Sequence, residues 1–144
     1  MVPQHPGTGY ARDATCTSLG ITVDQVRPGG AVLRMRVTET MTNVHGSAHG
    51  GFLFLLADAA FAYACNSHGW AAVAQAAQVT FLRPAAVGDV LVAEALERAR
   101  HGRGGIYDVT VRRAGGAVIA EFRGHSTALA GSPPTHGRLA CGIE

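Results

Sequence analysis

Residues 43–67 read NVHGSAHGGFLFLLADAAFAYACNS, and the interpretation of this stretch decides the fold. Its first part is a polar, glycine-containing loop with two imidazoles, His45 and His49, and one amide, Asn43. Its second part, 52–65, is too long for an ordinary buried strand and rich in Ala and Leu, so it predicts a helix. Gly50 and Gly51 sit where that helix should begin. The helix is apolar nearly all round, which implies burial on most sides. Asn66, Ser67, His68 and Gly69 then end it.

Working outward, the flanking segments alternate as strands. Residues 21–26 lead into Arg27, Pro28, Gly29 and Gly30, a turn signal. In 31–38, Leu33, Met35 and Val37 fall on one face and Arg34, Arg36 and Thr38 on the other, a half-buried strand completing a hairpin. After the helix come candidate strands at 75–82 (stopped by Arg83 and Pro84), 89–98, 106–113 and 117–126. The last two form a hairpin across Ala114, Gly115 and Gly116. This is an α+β layout. A strongly curved antiparallel sheet wrapped around one long buried helix satisfies it. Residues 1–12 and 131–144 read as flexible tails around a single domain, 13–130.

Composition narrows the class. The chain has 144 residues, of which 47% are hydrophobic and only 15% charged; about 25% charged is usual. A chain so short of charge either sits in a membrane or hides surface in an oligomer. The longest nearly apolar run, 52–65, is interrupted by Asp58 and falls short of the roughly 20 residues that span a bilayer. No secretory signal is visible, so the expected location is cytoplasmic. All 12 basic residues are Arg, mostly scattered, and the net charge is +2; this is a weak case for nucleic acid and a better one for a single anionic ligand. Cys16, Cys65 and Cys141 show no metal or disulfide pattern and read as reduced thiols.

Asp58 is the only charged residue between Gly51 and Arg83. Burying a carboxylate in an apolar helix is costly unless something stabilises it. The loop before the helix supplies a counterpart. Backbone N–H groups at Gly50 and Gly51 have no intrahelical acceptor and lie at the positive end of the helix dipole. Such a site suits an anion or a developing oxyanion. Gly50 and Asp58 are eight residues apart, so about 12 Å along the axis. If both serve one reaction they come from two chains, across a twofold dimer. The i, i+4 pair His45 and His49 has a zinc-like spacing on a helix, but the glycines argue for a loop and no third ligand follows.

Taken together, Asn43, the His49-Gly50-Gly51 run, Asp58, and Asn66-Ser67 in one register resemble the hotdog-fold thioesterases of the phenylacetate-degradation (PaaI) type. The segments around Arg83-Pro84, Gly88-Asp89 and 102–109 resemble them too. The likeness spans roughly residues 15–130. It implies hydrolysis of acyl-CoA thioesters, aryl or arylacetyl ones in particular, without a further cofactor. It also implies that Asp58 is the carboxylate nucleophile or general base. The Gly50 amide would polarise the thioester carbonyl with help from His49, and Asn43 would position the water or the carboxylate. The family's assembly, a dimer of dimers, implies a site shared between two subunits with CoA along the interface. Arg83, His101 and Arg103 are then candidates for its phosphates. Gly51, Asn66, Phe81, Pro84, Gly102 and Gly104 are further substrate-lining positions.

Two other readings stand beside this one. A non-catalytic acyl-CoA-binding module would share the fold, but an intact Asp58 argues against a degenerate site. A hydratase acting on enoyl-CoA would need an Asp and a His paired for water addition, and the His49-Gly50-Gly51 arrangement fits thioester polarisation better.

Overall fold

A computed structural model describes residues 13–130; both expected tails, and Cys141 with them, lie outside the described residues. Two helices and six strands follow one another as α1 (Ala14–Ser18), β1 (Thr22–Arg27), β2 (Gly30–Arg36), α2 (Gly50–Cys65), β3 (Ala72–Phe81), β4 (Val90–His101), β5 (Gly104–Arg113) and β6 (Val118–Ala128). The strands form one antiparallel sheet in the order β1-β2-β4-β5-β6-β3. The sheet curves around α2, giving the hotdog architecture. Among the described residues no helix is long and apolar enough to cross a membrane.

Local chemistry accounts for most element ends. Pro28 presets the β1–β2 turn, and Gly29 supplies its positive φ of 77°. The strand alternation holds: Leu33, Met35 and Val37 are buried while Arg34, Arg36 and Thr38 are exposed. Tyr107, Val109 and Val111 of β5 likewise face the core. The start of β3 is earlier than 75 because the Asn66 side chain grips Ala72 through both its backbone groups, at 3.0 Å each. The end of β4 runs past 98 because a bulge between Glu97 and Ala99 resets the alternation there.

The core lies between α2 and the concave face of the sheet. Leu53, Leu56, Ala57, Ala60, Phe61 and Ala64 point into it. Phe61 packs on Tyr107 and Phe122, with ring centroids 5.6 and 5.7 Å away. Gly124 on β6 is what lets that ring in, because a Cβ there would lie 2.9 Å from three of its atoms.

Two expectations change. The sheet does not bury α2 on every side: Gly51 is exposed, and Leu55, Asp58, Ala59 and Ala62 are only half-buried along one stripe. Six strands from one chain do not close around the helix. The short α1, capped by the Asp13 carboxylate accepting from Cys16 N–H at 3.1 Å, is an addition. Its five residues carry no periodicity to betray it.

Gly124→Ala is expected to destabilise the fold by about 1–3 kcal/mol, because Phe61 is locked by two other rings and cannot yield. Urea unfolding measures this; a stability equal to wild type would contradict the packing described.

Candidate active site

The first turn of α2 is built by the loop before it. The Asn43 side-chain oxygen accepts N–H groups from His45 and Ser47 at 2.9 and 3.2 Å, folding the loop on itself. Ala48 N–H donates to Ala85 O at 2.8 Å, and His49 N–H to Met41 O at 2.6 Å, fixing where the helix starts. His49 is the N-cap: its backbone is extended, and its ring Nδ1 accepts from Gly51 N–H at 3.3 Å. A neutral ring whose Nδ1 accepts carries its proton on Nε2, so His49 has a donor to spare.

These bonds leave one donor out. The Gly50 N–H makes no hydrogen bond among the described residues. It lies at the positive end of a 16-residue helix. A Cβ at position 50 would lie 3.0 Å from the Phe81 ring, so glycine lets Phe81 close on the helix end. Asn43, Gly50, Phe81, Arg83 and Pro84 line one cavity of about 400 Å³. Arg83 is held there by an Nη1 bond to Val118 O at 2.8 Å.

Asp58 is elsewhere. It opens into a separate cavity of about 260 Å³ between the two helices, shared with Asp13, Cys16, Leu55 and Ala62. Burial raises its carboxyl above the ordinary carboxylate range. The neighbouring Cys16 and Cys65 thiols are pushed up to about 12, chiefly by burial, with the Asp13 carboxylate adding to it at Cys16 and the Asp58 charge at Cys65, so both stay protonated and unreactive. Asp58 is two turns further along the helix than Gly50, about 12 Å.

The expected substrate residues divide. Phe81, Arg83 and Pro84 do join the helix start. His101, Gly102, Arg103 and Gly104 form the β4–β5 hairpin, with Gly102 at φ 58° in its turn. That hairpin lies beside the start of β3, where Ala128 N–H donates to Arg103 O and Leu129 N–H to Ala71 O. The length of β3, about 30 Å, separates it from Phe81 within one chain. His101 and Gly104 line a third cavity of about 200 Å³ together with His125.

Asn66 is a correction. It is 3% exposed, and its amide bonds Ala62 O and both backbone groups of Ala72. It clamps the end of α2 to β3 and has no face for CoA. Gly51 presents no free amide either, since the His49 ring takes it. His45 and His49 do not act as a pair, because His49 is occupied as a cap. Sequence reasoning missed Asp13 and Cys16 beside Asp58; the Asp before a short polar-apolar run was an N-cap signal that went unread.

The thioesterase superfamily profile matches residues 45–120, which contain the capped loop, Gly50 and Asp58. The chain belongs to the thioesterase superfamily. It is 46% identical to the acyl-coenzyme A thioesterase PaaI of Escherichia coli K12 over 123 residues, 85% of this chain and 88% of that one. The solved E. coli PaaI structure superposes with a TM-score of 0.83, covering 85% of this chain and 89% of that one. The TT0310 protein of Thermus thermophilus gives 0.79 at 39% identity, covering 82% and 99%. Human acyl-coenzyme A thioesterase 13 is 31% identical over 107 residues, 72% of this chain and 76% of that one. By descent the chain is a thioesterase, an enzyme.

The raised Asp58 carboxyl has a sign for stability. The fold gains relative stability while Asp58 is protonated, fully so below its unfolded-state pKa, and loses it as pH rises through the higher folded value. Asp58→Asn, neutral throughout, is expected to match wild type only below the ordinary carboxylate value of 3.8 and to exceed it increasingly as pH rises from there to neutral. Urea midpoints across that range check this; a difference that does not change with pH would contradict it.

Proposed function

We propose that this thioesterase hydrolyses small acyl-CoA thioesters, phenylacetyl-type ones among them, at a site shared by two copies of the chain. The observation that carries the reading is the free Gly50 N–H at the start of the helix that also carries Asp58. The thioester carbonyl oxygen accepts from that N–H, and the helix end stabilises the negative charge that develops on it. His49, whose Nδ1 is taken by Gly51 N–H, would add its Nε2 donor to the same oxygen. Asp58 of a second copy either attacks the carbonyl carbon or takes a proton from the water that does. The CoA thiolate leaves and takes up a proton; where Asp58 itself has attacked, water then hydrolyses the acyl–Asp58 anhydride, releasing the free acid and restoring the carboxylate.

The sheet supports the second copy. β3 is an edge strand, paired only through β6 among the described residues, and nearly all of it is exposed. Val73 and Phe81 on it are 42% and 51% exposed. An edge this long and this poor in charge invites pairing. Antiparallel pairing with the β3 of a second copy sets the start of one strand against the end of the other. That brings the His101–Gly104 hairpin of one copy toward the Phe81–Pro84 segment of its mate, so the two groups of expected CoA residues meet. A dimer of two such dimers accords with the half-open stripe on α2. The reduced, buried Cys16 and Cys65 suit a reducing compartment such as the cytoplasm. For the acyl group, the E. coli PaaI structure is described as coming from the phenylacetic acid degradation operon.

Thiol release over a panel of acyl-CoAs tests the reading. Wild type is expected to free CoA, with phenylacetyl-CoA a good substrate, and Asp58→Asn to lower kcat on the order of 10²–10⁴-fold while still binding CoA. Light scattering is expected to give at least twice the 14.9 kDa chain mass. Tight acyl-CoA binding with no thiol released would favour the binding-module reading, and a monomer would sink the shared site.

A further inference from the structure

At the other end of the sheet from Gly50 lies a buried ionic network that the proposed reaction does not use. The Glu97 side chain is 2% exposed, and its Oε1 sits 2.8 Å from His68 Nε2 and 3.8 Å from Arg100 Nε. Tyr107 O–H donates to the same oxygen at 2.7 Å. The Arg100 guanidinium lies 4.3 Å above the Trp70 ring, and Trp70 stacks on His68 with centroids 5.1 Å apart. His68 Nδ1 and Arg100 Nη1 are both buried without a hydrogen-bond partner among the described residues. The backbone joins in: Glu97 N–H donates to Gly29 O at 2.8 Å, and Gly29 N–H to Ser67 Oγ at 2.8 Å. The β1–β2 turn, the loop after α2 and the end of β4 thus meet at Glu97, the turn through its backbone N–H and the His68, Tyr107 and Arg100 side chains through its carboxylate.

Stability alone is a poor reason for this arrangement. Apolar side chains of similar volume fill such a space as well or better, and unpaired buried polar atoms add a cost. What charges give that apolar packing does not is direction. That direction is imposed on β4 at its bulge, between Glu97 and Ala99, where the strand is re-aimed. The network ends on Arg100, the residue next to His101, which opens the β4–β5 hairpin.

We propose that Glu97 is a positioning residue: through Arg100 it fixes the aim of the His101–Gly104 hairpin, and so the placement of His101 and Arg103 on the nucleotide end of CoA. The inference rests on the thioesterase reading above, and on the hairpin meeting CoA. Glu97 and Arg100 themselves do not touch substrate, being buried beneath the hairpin.

Two substrates with the same acyl group separate this role from a structural one: phenylacetyl-CoA, and phenylacetyl-pantetheine, which lacks the nucleotide. Glu97→Gln and Arg100→Met are each expected to raise KM for the CoA substrate about tenfold, with kcat little changed. Kinetics with the pantetheine thioester are expected to stay at wild-type values, and Arg100→Lys to recover part of the loss. Equal changes for both substrates, or none for either, would overturn the proposal. Should Glu97→Gln fail to fold, the Arg100 pair decides by the same comparison. Trp70 is the only tryptophan in the chain, so free CoA can also be titrated against its emission without turnover. Higher midpoints in the variants support the positioning role, and unchanged midpoints overturn it. A wild type that hydrolyses neither substrate would instead fail the thioesterase reading, and the fluorescence titration would still decide this one.

Discussion

The rise of an α-helix is not adjustable, and in α2 it sets the distance between the one free amide at Gly50 and the one carboxylate at Asp58. Eight residues fix that gap at about 12 Å, several times the reach of a reacting carbonyl. Bending the helix would break the packing of Phe61 against Gly124, Tyr107 and Phe122. The two cavities that hold Gly50 and Asp58 are accordingly separate in one chain. Two antiparallel helices remove the difficulty, since each then offers its start to the middle of the other. The exposed β3 edge, the half-open stripe on α2 and the distant hairpin all point the same way.

The shortage of charge belongs to the same constraint. With 15% charged residues the chain covers little of its own surface with ions. On β5 and its neighbours part of the charge is paired, as in Asp108 with Arg123 at 2.7 Å and Arg98 at 3.5 Å. The Arg123 bonds hold the Asp108 carboxyl below the ordinary range. The β3 edge and the helix stripe, by contrast, carry Ala, Val, Gln, Leu and a single Asp. Low charge therefore marks particular surfaces, those a second copy would cover.

Much of this was legible in the sequence, for identifiable reasons. Period-two alternation in 31–38 and 106–113 gave the strands and their buried faces, because each has one wet and one dry side. The apolar run after Gly51 gave the helix, and its lone carboxylate gave the candidate base. Asn66 misled because an amide beside a known motif looks like a ligand contact; only the fold shows Ala72 folding back onto it. The curved sheet around α2 was expected, but no sequence pattern reports how far it curves, and so which stripe of the helix stays half-open. The network at Glu97 was invisible because it depends on contacts between segments distant in the chain, whereas the five residues of α1 are too few to show periodicity and only the local Asp13 cap marks it.

Subunit mixing tests the central claim most directly. Gly50→Pro removes one N–H yet suits the first helical position, where the preceding His49 is already extended with ψ 134°. A Cβ at position 50 meets the Phe81 ring at 3.0 Å, so far-UV circular dichroism and light scattering first check that the variant keeps the wild-type fold and assembly. Gly50→Pro and Asp58→Asn homomers should each be nearly inactive, the former by about 10²–10³ in kcat. Unfolded and refolded together, they should recover about a quarter of wild-type thiol release. Half the dimers would be hybrids, each with one intact site of two. Mixtures no more active than the separate variants, with hybrids shown to form, would place Gly50 and Asp58 in one chain's site and contradict the account.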